Sequence, residues 1–184
     1  MHGPSAHQVA QGHIDDQSIN ELKQIIFGQL PQLTFTLNPL NTVIRRCSPS
    51  KHDANKRFES TLIGGTLTLV QASLGTSWQI TAKNKILFLE EVNEAPYRVD
   101  RMLQHLQQAI CLTELTALVF GDFITTLNQR ALMGAVLQRF AESLPIPVFS
   151  CPGIGHGKTN RSLVFGAPTH LEYDKHQLTI QITG

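Results

Sequence analysis

Hydrophobic and polar positions follow two different periods along this chain. Alternation at Leu33, Phe35 and Leu37 predicts a strand, and Thr42–Arg46 predicts another beyond the Asn38-Pro39 turn signal. Arg57–Ile63 reads as a third strand, ending at Gly64-Gly65. The run Lys85–Leu89 is apolar on both faces, which predicts an interior strand carrying Glu90 and Glu91 at its carboxyl end, where open α/β sheets place their chemistry. Thr116–Phe120 (ending in Gly121-Asp122), Ile146–Ser150, Ser162–Phe165 and Leu178–Ile182 are further strand candidates.

Helical spacing takes over elsewhere. Ser18-Ile19-Asn20-Glu21 has the S-x-x-E form of a capping box and predicts a helix over Ile19–Phe27, stopped by Gly28. Leu67, Val70 and Leu74 suit one face of a short helix in Thr66–Leu74. Pro96 opens a helix with Val99, Met102, Leu103, Leu106 and Ile110 on one stripe. Leu127, Leu132, Val136, Phe140 and Leu144 mark a second, which Pro145 and Pro147 end. Mixed short strands with two main amphipathic helices predict an α/β domain over residues 18–184, after a flexible start at 1–17.

With 184 residues, 41% of them hydrophobic, the chain can bury one core without disulfides or a structural metal. Fifteen Lys and Arg against 14 Asp and Glu leave a net charge of +1, too small for a broad nucleic-acid or anionic-lipid footprint. No apolar run approaches the roughly 20 residues of a membrane-spanning helix, and Met1–Asn20 has no apolar signal region. Cys47, Cys111 and Cys151 are odd in number and lack C-x-x-C spacing, which fits a reducing, cytoplasmic setting. The remaining histidines form no H-x-x-x-H pair on a periodic helix, so neither a metal nor another cofactor is expected.

Gly153-Ile154-Gly155-His156-Gly157-Lys158-Thr159 looks at first like a phosphate loop. Pro152 stands where the first glycine of G-x-x-x-x-G-K-[ST] belongs, and the residues after Thr159 read as a strand rather than a helix. What is left is a histidine among glycines, either an exposed turn residue or a general base. A base needs a carboxylate to fix its tautomer, and Glu90 and Glu91 are the candidates; the plain alternative for that pair is a solvated strand end. Glu94, Asp100 and Asp122 read as helix caps or as surface partners of Arg98 and Arg101.

These residues also carry a resemblance. Lys85–Glu94 followed by Tyr97–Leu103 resembles the G-K-I-L-F-L-E-D-x-x-E…Y-R-I-D-R-M-L segment of bacterial serine LD-carboxypeptidases, with Asn84 in place of the glycine and Glu91 in place of the aspartate. Ile63-Gly64-Gly65-Thr66-Leu67 resembles the family's I-G-G-N-L turn, Gly75-Thr76 its G-T, Gly121-Asp122-Phe123 its G-D-F, and Pro147–Gly157 its P-V…G-H-G loop.

The resemblance implies a swivelling β/β/α-type domain from a muramoyltetrapeptide carboxypeptidase, which removes terminal D-alanine from murein tetrapeptides in cell-wall recycling through a Ser-Glu-His triad. By position, Glu90 matches the triad glutamate and His156 the histidine, while Gly64 and Gly65 are weak candidates for substrate contact. The family's G-x-S-D nucleophile turn does not occur in these residues, and Met1-His2-Gly3-Pro4 resembles the H-G-P that follows the nucleophile domain. The expectation is therefore a carboxy-terminal domain that is inactive alone, whose partners are an amino-terminal nucleophile domain, a murein peptide and a second copy in a homodimer. Nucleic acid and membrane are not expected as partners. The helix residues Tyr97, Arg98, Asp100 and Arg101 are core-flanking or form the dimer contact. Two other readings stay open: a related immunity peptidase that cleaves peptide-nucleotide antibiotics, and a non-catalytic binding module of the same fold.

Overall fold

The computed structural model describes residues 1–29, 31–43, 57–110, 112–173 and 175–182. Within them the order is α1 (Ala6–Ala10), α2 (Asp16–Ile26), β1 (Gln32–Thr36), β2 (Asn38–Pro39), β3 (Arg57–Thr66), α3 (Leu67–Ala72), β4 (Ile86–Val92), α4 (Pro96–Ala109), β5 (Ala117–Ile124), α5 (Arg130–Ser143), β6 (Val148–Ser150), β7 (Pro168–Glu172) and β8 (Gln177–Gln181). The strands join in the order β1-β8-β7-β3-β4-β5-β6-β2.

Strand β3 links two kinds of sheet. Its first half, Arg57–Thr61, pairs antiparallel with β7, and its second half, Leu62–Thr66, pairs parallel with β4. β4, β5 and β6 continue in parallel, whereas β1, β8 and β7 form an antiparallel wing. The result is the expected mixed α/β class. Residues of β4 alternate between two cores. Leu87 and Leu89 face the helices with Val70, Val99, Leu103, Leu106 and Phe140, while Ile86 and Phe88 pack with Leu33, Phe35, Leu171 and Ile180 of the antiparallel wing. Burial on both faces explains why this strand reads as a continuous apolar run.

Several expectations are corrected. Asn38-Pro39 is not a turn but the edge strand β2, antiparallel to Ser150 and Phe149; a proline is tolerated at such an edge. Thr42 sits in a turn, and the rest of the strand expected at Thr42–Arg46 falls largely outside the described residues. Ser162–Phe165 makes only a bridge, His2 with Leu163, and the strand lies further on at β7, whose Pro168 and His170 dilute its alternation. In α5 the buried face is Met133, Val136, Phe140 and Ala141, while Leu127 and Leu132 are exposed. Helix α1, capped by Ser5, and the His2 bridge lie within the first 17 residues. Asn84, where the resembled pattern has glycine, adopts φ 55°, a left-handed conformation that asparagine tolerates. Among the described residues no helix is long and apolar enough to cross a membrane.

Two carboxylates secure helix starts. The cap of α2 is Asp15, which accepts from Ser18 N at 2.8 Å, so the helix starts about one turn before the capping box expected at Ser18 and has a single side-chain cap there. Glu21, freed from that role, pairs with Arg161 and accepts from Ser162 N. Helix α3 has no side-chain cap of its own. Glu91, on the helix-facing side of β4, supplies one by accepting from Thr68 N at 2.8 Å and Thr68 Oγ1 at 2.6 Å.

Replacing Asp15 by alanine is expected to cost about 1 kcal/mol in urea unfolding at neutral pH. The hydrogen bond from Ser18 N holds the Asp15 carboxyl below its ordinary 3.8, so this contribution is full above that pH and is lost as pH falls through the lowered folded value. Glu91→Ala, which strands the Thr68 donors, should cost about 2 kcal/mol or more by the same measurement.

Candidate active site

The carboxyl ends of β3, β4 and β5 bring together the residues singled out in the sequence. Register pairs Thr66 of β3 with Glu90 of β4, so the first side chain beyond the two glycines lies beside the carboxylate. Because neighbouring strand residues point to opposite faces, Glu90 and Glu91 part company: Glu91 reaches α3, and Glu90 continues the Ile86–Phe88 side. This alternation is the sequence signal that separates the pair.

The Glu90 side chain has no exposed surface. Its Oε2 accepts from His156 Nδ1 at 2.8 Å, and its Oε1 accepts from Thr66 Oγ1 at 2.6 Å. With Glu90 as a carboxylate, the Nδ1 of His156 carries the proton, and in the neutral imidazole Nε2 then keeps its lone pair. The His156 ring is 38% exposed, and among the described residues Glu90 is its only side-chain hydrogen-bond partner. A buried acid therefore orients an imidazole whose other nitrogen is available to an incoming group.

The loop that carries His156 is fastened at many points. Cys151 N donates to Phe120 O at 2.7 Å, Asp122 N to Ile154 O at 2.8 Å, and Gly155 N to Asn160 Oδ1 at 3.1 Å. Asn160 N in turn donates to the buried Ser18 Oγ, tying the loop to α2. Gly155, at φ 152°, sits so close that a Cβ there would stand 3.2 Å from Glu90 Oε2 and 3.1 Å from Asp122 Cβ. The glycines around His156 thus let the loop close on the carboxylate. Asp122 is neither a helix cap nor an arginine partner as expected; both its oxygens accept from Gly153 N. Burial raises its pKa, with the nearby Glu90 charge acting in the same direction against the Gly153 hydrogen bond.

The remaining candidates make contacts within the fold. Gly64 is required by strand approach, since a Cβ would lie 1.8 Å from Phe88 O. Gly65 is buried in the same strand end, at φ 136°. Glu94 pairs with Arg98, but Asp100 pairs across to Arg139 rather than with Arg98 or Arg101. The Cys151 thiol is buried and pushed up to about 12, chiefly by desolvation, which leaves it inert as a nucleophile. Among the described residues no cluster of three or more His, Cys, Asp or Glu could hold a metal ion.

Similarity to known proteins bears on the family and the fold. A protein family described as the LD-carboxypeptidase C-terminal domain matches residues 59–171. A carboxypeptidase homologue of Rickettsia conorii is 39% identical over 172 residues, covering 93% of this chain and 51% of that protein. The crystal structure of a muramoyltetrapeptide carboxypeptidase from Oxalobacter formigenes superimposes with a TM-score of 0.71 at 28% identity, over 91% of this chain and 55% of that one. The microcin C7 self-immunity protein MccF shares the fold, with a TM-score of 0.59 at 21% identity over 69% of this chain and 39% of that one. This chain spans about half the length of the Rickettsia relatives it matches. It belongs to the LD-carboxypeptidase family, as that family's C-terminal domain.

Proposed function

We propose that this chain supplies the glutamate and histidine of a Ser-Glu-His triad in a carboxypeptidase that removes terminal D-alanine from murein tetrapeptides, in the cytoplasm, during cell-wall recycling. The observation that carries the reading is the 2.8 Å contact between His156 Nδ1 and the fully buried Glu90 carboxylate. The family membership and the muramoyltetrapeptide carboxypeptidase likeness support the substrate class.

In this scheme His156 Nε2 takes the proton of a serine hydroxyl as that oxygen attacks the peptide carbonyl, then returns it to the amine of the leaving D-alanine. Water subsequently attacks the acyl-enzyme with His156 again acting as base. Glu90 keeps the imidazole in the productive tautomer and stabilises its charged form. The serine and the oxyanion donors come from an amino-terminal domain carrying a G-x-S-D turn, which these 184 residues do not contain. We further propose that the complete protein is a homodimer.

The test is D-alanine release from a murein tetrapeptide, comparing this chain with a form extended upstream by its preceding coding sequence. Release is expected from the extended form only, with Glu90→Ala and His156→Ala each lowering kcat by about a thousandfold or more. Release by the short chain would overturn the nucleophile assignment. Silence from both, with cleavage of a peptide-nucleotide antibiotic instead, would transfer the site to the immunity-peptidase reading.

A further inference from the structure

The Glu90 carboxylate has a second imidazole beside it. His2 Nε2 lies 4.0 Å from Glu90 Oε1, on the opposite carboxylate oxygen from His156. This nitrogen is buried and has no hydrogen-bond partner among the described residues, an arrangement that native interiors seldom leave uncompensated. Thr66 Oγ1 uses one lone-pair direction of Oε1, and a carboxylate oxygen has a second to offer.

The backbone around His2 is fixed as firmly as the ring. His2 N donates to Leu163 O at 2.8 Å, and Leu163 N returns a bond to His2 O at 2.6 Å. Gly3 permits this approach, since a Cβ there would come within 2.7 Å of Ser162 Oγ. The imidazole packs against both Phe88 and Phe165, with ring centroids 5.8 and 6.0 Å away, and the two phenylalanine rings lie 6.5 Å from each other. Burial pushes its pKa below the ordinary 6.5, against the pull of the Glu90 charge, so at neutral pH the ring is uncharged and offers one N–H.

We propose that His2 is a positioning residue for Glu90, donating Nε2–H to the Oε1 lone pair left by Thr66 and so fixing the carboxylate against His156. A movement of about 1 Å closes the gap to hydrogen-bonding distance. The inference rests on the reading of Glu90 and His156 as triad partners. It makes the H-G-P segment part of the site, because the backbone entering this domain carries a donor for the buried acid, and seating that segment completes the carboxylate's surroundings. Simple packing against the two phenylalanines would make His2 replaceable by another aromatic ring without effect on the site.

The test uses the 184-residue chain with 15N-labelled histidine and the upstream-extended form for kinetics. In the chain, the low-field Nδ1–H proton of His156 reports its bond to Glu90. Glu90→Gln should remove that signal, His2→Phe should shift it while the chain stays folded, and His2→Gln, whose amide stands where Nε2 stood, should hold it near its parental position. In the extended form His2→Phe should lower kcat about tenfold with KM little changed, as expected for one hydrogen bond to a charged group. His2→Gln should recover most of that loss, and His2→Asn, whose amide is too short, should not. An unchanged His156 signal and kcat in His2→Phe, with Glu90→Gln still removing the signal, overturns the role of His2 alone. A signal that survives Glu90→Gln overturns the triad pairing itself, and the His2 role with it. If His2→Phe does not fold, equal kcat in His2→Gln and His2→Asn overturns the proposal.

Discussion

A carboxylate without exposed surface at the end of a central strand constrains everything around it. Taking an ion of that size out of water is costly unless donors replace the lost hydration. Glu90 has two close ones, the Thr66 hydroxyl at 2.6 Å and the His156 ring at 2.8 Å, each at a distance typical of charge-assisted hydrogen bonds. The placement of β3 beside β4, the glycine-rich end of β3 and the folded-back loop after β6 all serve to bring those donors in. Gly64 lets the two strands approach, and Gly155 lets the loop settle on the carboxylate. The same features that fix the acid fix the imidazole's tautomer, so folding and chemistry draw on one set of contacts.

The strand's pleat then divides labour between adjacent acids. Glu90 faces the site and Glu91 faces α3, where it satisfies amide and hydroxyl donors that the helix's own cap leaves open. Neither could exchange roles with the other without turning the strand over, which would also exchange Phe88 and Leu89 between two differently shaped cores. The apolar pattern of β4 therefore specifies which glutamate can reach His156.

Much of this was legible in the sequence because the strongest signals are burial signals. The two-faced apolar run of β4, the stripe of α4 and the family-like segments located the sheet centre, and with it Glu90 and His156. What escaped was set by tertiary contacts. The capping spacing at Ser18 was real, but Ser18 is buried and accepts from Asn160 N, which leaves Asp15 to cap α2. Asn38-Pro39 reads as a turn by propensity and becomes an edge strand because β6 offers an unpaired edge there. β7 hides behind Pro168 and His170, and Asp122 looked like a surface acid because its partner is a backbone amide 31 residues away. Pairing across such distances has no local signature.

The His156 loop is fastened by contacts within this domain. Asn160 reaches back to Ser18 of α2, Arg161 pairs with Glu21 and lies over the Phe35 ring, and Asp122 holds Gly153. These contacts link the loop to both the antiparallel wing and the parallel sheet, so it cannot shift without disturbing either. An imidazole oriented before a nucleophile is present costs nothing to organise when that nucleophile arrives, which is the physical advantage of preorganisation. On the proposed reading, a triad divided between two domains would need only one relative placement at assembly, that of a serine hydroxyl against an already oriented His156 Nε2.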